Sequence, residues 1–278
     1  MFRQSSQVAV NPLEYSEVSR VRLLWDSRFT PATLRDHLEE HPRLAFWNRI
    51  TGEYAVGGCW RGRRDIGMVV ETSKGGSREA LIDKLVSRFR EDGCRAAVLS
   101  QDEVECAATW YLSHGWNILD RLLVFRLTLG PLEYDGANVL SISRFQPQDL
   151  AALTELDRSA FPWLWWNEPS DFLTYTSSSN VSAYLVRRES SLAGYVSYSI
   201  KNSRGHLDRL AIHPSFGRRG YGSRLLVLAL RRMRQSGVQE VGLTTQETNV
   251  AAQDLYRRFG FKQTGEAHEV LGQELSVI

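Results

Sequence analysis

One stretch in the second half of the chain decides the fold. It reads Leu210-Ala211-Ile212-His213-Pro214-Ser215-Phe216-Gly217-Arg218-Arg219-Gly220-Tyr221-Gly222-Ser223. An apolar run typical of a strand enters a glycine-rich turn, and a helical pattern follows directly. The glycines allow a ligand to approach the backbone closely, and the free N–H groups of a helix start favour an anion. The stretch therefore predicts a pyrophosphate site, and the alternative is a tight strand–helix connection without a ligand.

A second motif lies downstream, Asn249-Val250-Ala251-Ala252-Gln253-Asp254-Leu255-Tyr256-Arg257-Arg258-Phe259-Gly260-Phe261. The two motifs together resemble those of the GCN5-related N-acetyltransferase (GNAT) family, Gln/Arg-x-x-Gly-x-Gly/Ala and Asn-x-x-Ala-x-x-Leu-Tyr-x-x-x-Gly-Phe. The second motif matches throughout, whereas Gly217 stands where the family usually has Gln or Arg. The resemblance covers roughly residues 139–270. It implies an α/β fold with a mixed sheet, the acyl-CoA N-acyltransferase fold.

The first half of the chain repeats the order of features found in the second. A helical pattern that ends at Gly93 precedes Tyr111 by 18 positions, and one that ends at Gly237 precedes Tyr256 by 19 positions. A glycine follows each tyrosine four positions later. This series predicts two tandem copies of one fold, residues 1–135 and 136–278. The first copy lacks the arginines and the third glycine of the loop, so we expect it to be degenerate and the chain to bind one acetyl-CoA.

The resemblance implies acetyl-CoA as co-substrate and no metal. Main-chain groups of Leu210, Ala211 and Ile212 would bind the pantetheine arm, and the backbone amides of residues 218–223 would bind the pyrophosphate. Asn249 either caps the helix that it begins or also contacts the cofactor.

Tyr256 is the candidate general acid. Direct attack of an amine on a thioester releases a thiolate, and a phenol with a pKa of about 10 can protonate it. The alternative is a tyrosine that only packs against neighbouring phenylalanines. The first choice for the general base is Asp208, which alternates with His206 along one strand and would share a face of the sheet with it. His206 and Glu247 are the other candidates.

The acceptor is less defined. The segment Phe161-Pro162-Trp163 resembles one that lines the acceptor path in bacterial ribosomal-protein N-terminal alanine acetyltransferases. Those enzymes are single-domain and carry a glutamate where this chain has Thr244. We expect an N-acetyltransferase for a small amine or a peptide N-terminus. The alternatives are a non-catalytic acyl-CoA-binding or scaffold protein, and a tandem enzyme similar to mycothiol synthase that acetylates a thiol-sugar amine.

Composition bounds the remaining classes. Among 278 residues, 34 are basic and 32 acidic, and a net charge of +2 argues against nucleic-acid binding through bulk charge. No apolar run approaches the ~18 residues of a spanning helix, and no signal peptide is evident, so we expect a cytoplasmic protein without a membrane partner. Cys59, Cys94 and Cys106 lack the spacing of a zinc site. The oligomeric state stays open.

Overall fold

The chain forms two compact units in a computed structural model that describes residues 9–130 and 141–275. Unit 1 comprises residues 1–120 and 269–278, and unit 2 comprises residues 121–268. The boundary predicted between residues 135 and 136 lies outside the described residues. Within the described parts of the chain, none of the helices is long and apolar enough to cross a membrane.

Unit 1 contains three helices and a mixed sheet. The helices are α1 (Pro31–Glu40), α2 (Arg78–Glu91) and α3 (Gln101–Ser113). The strands are β1 (Val10–Pro12), β2 (Ala45–Asn48), β3 (Tyr54–Trp60), β4 (Arg63–Thr72), β5 (Ala96–Leu99), the start of β6 (Asn117–Thr128) and the end of β12 (Lys262–Glu274). The order of hydrogen-bonded strands runs β1-β2-β3-β4-β5-β12, and β4 and β5 are parallel.

Unit 2 contains four helices and strands that pair in both parallel and antiparallel directions. The helices are α4 (Leu150–Ala160), α5 (Pro169–Ser177), α6 (Tyr221–Gln235) and α7 (Val250–Arg258). Its further strands are β7 (Ser141–Arg144), β8 (Val181–Arg188), β9 (Ser191–Lys201), β10 (Arg204–Ile212) and β11 (Glu240–Gln246). The strand order is β12-β6-β11-β10-β9-β8-β7, and β10 and β11 are parallel.

The two units repeat one succession of elements, β2-β3-β4-α2-β5-α3-β6 and β8-β9-β10-α6-β11-α7-β12. The predicted mixed α/β fold in two copies is thus confirmed. The last strand of each copy extends into the other unit: residues 122–128 of β6 pair with β11, and residues 272–274 of β12 pair with β5. The final strand runs to Glu274, and its second part pairs with β5.

The core of unit 2 holds α6 against the sheet. Apolar residues recur along one face of α6 at helical spacing and pack on β9, β10 and β11. Each buried leucine contributes roughly 1.5–3 kcal/mol to this contact. Gly205 allows the close approach, because a Cβ there would lie 2.4 Å from Met233 Sδ. The helix ends at Gly237, where φ is +82°. This packing fixes the position of the helix start, on which the candidate site depends.

Candidate active site

The two parallel strands of unit 2 separate partway along their length. β10 and β11 pair over residues 204–206 and 240–242, and their register ends there within the described residues. Beyond this point β10 continues to Ile212 with β9 as its partner, and β11 continues with β6. The edge of β10 that carries Leu210, Ala211 and Ile212 therefore offers main-chain groups to an added extended chain. This is the placement that the sequence predicts for the pantetheine arm.

The glycine-rich loop follows this edge and leads into α6. Arg218 and Gly220 both have left-handed backbone conformations, with φ of 57° and 79°. Gly220 is the N-cap, so α6 begins at Tyr221. A glycine N-cap has no side chain to accept a bond from the first-turn N–H groups, which remain for an anionic ligand.

The other predicted loop residues surround the same turn. Gly222 packs closely, because a Cβ there would lie 3.4 Å from Leu255 Cδ2 and 3.7 Å from Ile212 Cγ1. Tyr221 is buried in the core, so only its backbone could face a ligand. Arg219 lies with its guanidinium 5.9 Å from the centre of the Phe216 ring. Gly217 ends the short turn Pro214–Phe216.

A buried donor beside the loop supports an anionic ligand. Arg224 Nε, in the first turn of α6, is buried without a hydrogen-bond partner among the described residues. Leaving a buried donor unsatisfied costs about 1–3 kcal/mol, more for a charged group. A phosphate group at the helix start would fit this donor set, together with the open edge of β10. The residues present therefore fit acetyl-CoA.

Asn249 caps α7. Its Oδ1 accepts a hydrogen bond of 3.2 Å from the backbone N–H of Ala252. Of the two roles expected for Asn249, helix capping and cofactor contact, the structure shows helix capping. Gln253, one turn into the helix, donates to the carbonyls of Gln246 and Glu247 and fixes the turn between β11 and α7.

Asp208 lies at the centre of a polar cluster on β10. Its carboxylate accepts hydrogen bonds from the Tyr175 hydroxyl, from Ser199 Oγ at 3.0 Å and from His206 Nδ1 at 2.7 Å. His206 must carry its proton on Nδ1 to make this bond, which leaves Nε2 as a proton acceptor. Glu247 instead forms an exposed ion pair of 3.1 Å with Arg121. Of the three predicted bases, the structure brings together Asp208 and His206.

Tyr256 is buried on α7. Its ring contacts Phe125 and Phe261, with centroids 6.4 and 5.7 Å away. Burial raises the pKa of the Tyr256 phenol well above its ordinary value. The phenol therefore stays protonated at neutral pH and keeps a proton to donate.

A pocket of about 750 Å³ opens on the face of the sheet that carries His206. Residues of five strands of unit 2 line it, among them Ser199, Lys201, Arg204, Thr244 and His268. The aromatic segment that begins at Phe161 is not among the lining residues.

The aromatic segment is instead anchored by Arg209. The Arg209 guanidinium binds both oxygens of buried Asp157, at 2.6 and 2.8 Å, and donates to the Trp165 carbonyl at 2.6 Å. It also lies 3.8 Å from the centre of the Phe161 ring. Trp165 is buried, so this segment combines a core role with a fixed loop conformation.

The corresponding strands of unit 1 stay together. β4 and β5 pair over residues 66–69 and 96–99, and Ser100 continues the contact through hydrogen bonds from its N–H to the Val69 carbonyl and from its hydroxyl to the Val70 carbonyl. Glu103 then accepts from the N–H of Thr72 at 3.2 Å. No edge comparable to that of β10 is left in this part of the described chain.

Two carboxylates of unit 1, those of Glu53 and Glu103, accept hydrogen bonds from the counterparts of the predicted site groups of unit 2. Glu53 accepts from the N–H of Ser77 at 3.0 Å, at the start of α2, where the loop of unit 2 would bind pyrophosphate. Tyr111, the counterpart of Tyr256, donates to Glu103 at 2.8 Å. Arg78 Nη2 contacts the same carboxylate at 2.7 Å.

The sequence did not identify several of these partners. Tyr175 lies 33 residues from Asp208, and Glu53 lies 24 residues from Ser77. No local pattern connects residues at such separations. Ser199 could have been found from the sequence, because the short hairpin that joins β9 and β10 places it directly opposite His206.

Comparison with known proteins gives the family of this site. The family model described as Acetyltransferase (GNAT) family matches residues 150–261. The chain is 27% identical over 124 residues to the [ribosomal protein bS18]-alanine N-acetyltransferase of Haemophilus ducreyi. This alignment covers 42% of this chain and 78% of the relative.

Solved structures share the fold over nearly the whole chain. A GCN5-related N-acetyltransferase from Kribbella flavida matches over 96% of this chain and 71% of its own, with a TM-score of 0.63 and 15% identity. Another, from Sphaerobacter thermophilus, matches over 96% of this chain and 95% of its own, with a TM-score of 0.55 and 17% identity. A tandem GNAT protein from the clavulanic acid biosynthesis pathway covers 96% of this chain and 98% of its own, with a TM-score of 0.56 and 14% identity. Residues 150–261, which lie in unit 2, match the model of the GNAT family of acetyltransferases, which use acetyl-CoA, and they carry the motifs of that family.

Proposed function

We propose that unit 2 transfers an acetyl group from acetyl-CoA to the primary amine of a small molecule or a peptide N-terminus. One observation carries the proposal: the separation of β10 from β11 leaves a strand edge beside a bare helix start, and His206 and Asp208 lie on the same strand. The acetylation of an alanine in ribosomal protein bS18 by the Haemophilus ducreyi relative supports a peptide N-terminus as one acceptor class.

We assign the base to the pair His206 and Asp208. His206 Nε2 takes a proton from the ammonium of the acceptor, and the neutral amine then has the lone pair needed for attack. Asp208 holds the imidazole in this tautomer and stabilises its charged form. Three hydrogen bonds already engage the Asp208 carboxylate, so in this proposal it acts through His206 rather than as the first-choice base that the sequence suggested.

Tyr256 is the proposed general acid. Acetyl-CoA supplies the acetyl group as a thioester, whose C–S bond breaks as the new C–N bond forms. The Tyr256 phenol gives its proton to the departing sulfur, and the proton that the new amide nitrogen loses restores the phenol. Burial raises the pKa of the phenol, so the group is protonated when the step begins, and the thiolate that forms next to it is a strong enough base to take the proton.

Unit 1 is proposed to bind no acetyl-CoA. Its parallel strands stay paired to the end of β5, and the Glu53 carboxylate accepts a hydrogen bond from an N–H group at the start of α2. The expected stoichiometry is one acetyl-CoA per chain.

The test is release of free coenzyme A by the full chain with a panel of primary amines and short peptides. Amine-dependent release supports the proposal, and calorimetry should give a single acetyl-CoA site. Tight acetyl-CoA binding without turnover of any amine would replace this function with the non-catalytic alternative, and two equivalent sites would overturn the assignment of unit 1.

A further inference from the structure

The pocket beside His206 extends away from the loop that would hold pyrophosphate. In the sheet register, His206 lies opposite Ser199, and Arg204 lies opposite Lys201 one step further along the strands. Two strand residues span about 7 Å. All four residues line the pocket of about 750 Å³. An acceptor with its amine at His206 would therefore place its other end near Lys201 and Arg204.

Two like charges meet at this end of the pocket. Lys201 and Arg204 are directly opposite each other on antiparallel strands, an arrangement that destabilises a sheet. A two-residue turn, Asn202 and Ser203 with φ of 51° and 61°, fixes the register. The fold thus holds two cations side by side at a cost in stability that a bound anion would remove.

The other charges of the pocket do not neutralise this pair. Arg126 and Glu266 contact each other at 3.5 Å. Glu240 lies beside Arg204 in the register, but the structure contains no ion pair between them. Neither the Lys201 nor the Arg204 side chain has a hydrogen bond or ion pair with any residue that the structure describes, apart from the backbone pairing of their strands. Apart from the Arg126–Glu266 pair, the charged lining residues are therefore one carboxylate, Glu240, and two cations, Lys201 and Arg204.

We propose that Lys201 and Arg204 form a subsite for a carboxylate on the acceptor, about 7 Å from the reacting nitrogen. The inference rests on the proposed acetyltransferase function and names its acceptor class: amines that carry an acidic group several bonds away. An α-amino acid is excluded, because its carboxylate is too close to its nitrogen to reach both sites.

The experiment compares 6-aminohexanoate with its neutral amide, 6-aminohexanamide, which has the same length. Wild-type protein should acetylate the acid with a kcat/KM about three- to tenfold higher, mainly through a lower KM, because two partly exposed charges act on one carboxylate. In Lys201→Gln/Arg204→Gln, the ratio of acid to amide should fall to about one. Arg188→Gln, which removes a cation from the neighbouring hairpin outside the pocket, should keep the wild-type ratio.

Equal turnover of acid and amide by the wild type would overturn the subsite while leaving the acetyltransferase function intact. A preference that persists in the double variant would assign the selectivity elsewhere and overturn it as well. Absence of turnover with every amine would instead count against the proposed function. Raising the salt concentration should reduce the ratio in the wild type, since the contact is electrostatic.

Discussion

His206 Nδ1 lies 2.7 Å from Asp208 Oδ1, and both side chains belong to β10. The same carboxylate also accepts from Tyr175 of α5 and Ser199 of β9. Three elements thus converge on one carboxylate, and two members of the cluster, His206 and Ser199, line the pocket. On this relationship rests our proposal that His206 accepts the proton and that Asp208 orients the imidazole.

Replacing His206 tests that assignment. We expect His206→Gln to lower kcat by about 10²-fold or more, because no imidazole is left to accept the proton of the acceptor ammonium. Asp208→Asn should lower kcat by a smaller factor, since the imidazole remains but loses the carboxylate that orients it. His114→Gln in unit 1 is the control and should keep full activity. Full activity of His206→Gln would contradict the pair.

Tyr256→Phe should leave acetyl-CoA binding nearly intact and reduce turnover by about 10²–10⁴-fold, because the proton donor is lost while the ring still packs. Burial raises the pKa of Tyr256, so the wild type should stay active beyond pH 10 until the protein itself fails. Single-turnover kinetics and calorimetry measure the two effects separately.

Tyr111→Phe is the matched control for this variant. Tyr111 donates to buried Glu103 in unit 1, so its loss should lower the melting temperature and spare kcat. Full activity of Tyr256→Phe would remove the acid role, as would an equal loss of kcat in both variants.

Gly220→Ala should weaken acetyl-CoA binding. Gly220 has a φ of +79°, and alanine there costs about 1–2 kcal/mol or displaces the loop whose N–H groups form the proposed pyrophosphate site. The KM for acetyl-CoA should rise. Gly237→Ala makes the same change at a φ of +82° at the far end of α6 and should cost similar stability without altering the KM. An equal change of KM in both variants would show that the effect comes from global stability.

Glu53→Gln should lower the free energy of unfolding by about 1 kcal/mol, as loss of a helix cap does. Burial raises the pKa of Glu53, but hydrogen bonds from the Ser77 hydroxyl and from the backbone N–H groups of Ser77 and Gly76 outweigh it and lower the pKa overall. A lowered folded pKa means that the stabilisation is present above the ordinary value of 4.5 and is lost as pH falls through the lowered value. The difference from wild type should therefore narrow in acid.

Phosphate provides a second readout for this position. Glu53→Ala should be stabilised by inorganic phosphate more than the wild type, because an anion can replace the carboxylate at the start of α2. Glu79→Gln removes an exposed charge from the same helix turn and should show no such gain. A wild type that gains as much from phosphate as Glu53→Ala would contradict the occupation of this site by Glu53.

The sequence predicts those parts of the site that depend on neighbours along the chain. The turn around Gly220, the cap at Asn249 and the helix end at Gly237 follow from local backbone chemistry. The periodicity of α6 likewise requires only its own residues. These predictions hold because the physical cause and the pattern lie within the same few positions.

Local sequence patterns do not specify which strands pair when those strands are far apart in the chain. The exchange of β6 and β12 joins Leu122 to Gln246 and Gly272 to Val98, and apolar alternation fits either partner equally. The role of Asp208 depends on Tyr175, which a sequence pattern relates only to its aromatic neighbours. Roles within the site therefore required the tertiary contacts, whereas its location did not.

The placement of β6 has an evolutionary consequence. A duplicated gene usually frees one copy to decay, and here the first copy keeps the fold while we propose that it binds no acetyl-CoA. Residues 122–128 of that copy cover the edge of β11 that the second copy would otherwise expose. Deleting the first copy together with β6 would leave the edge of β11 unpaired and prone to aggregation. Selection can therefore erase the chemistry of the first copy but must preserve its chain.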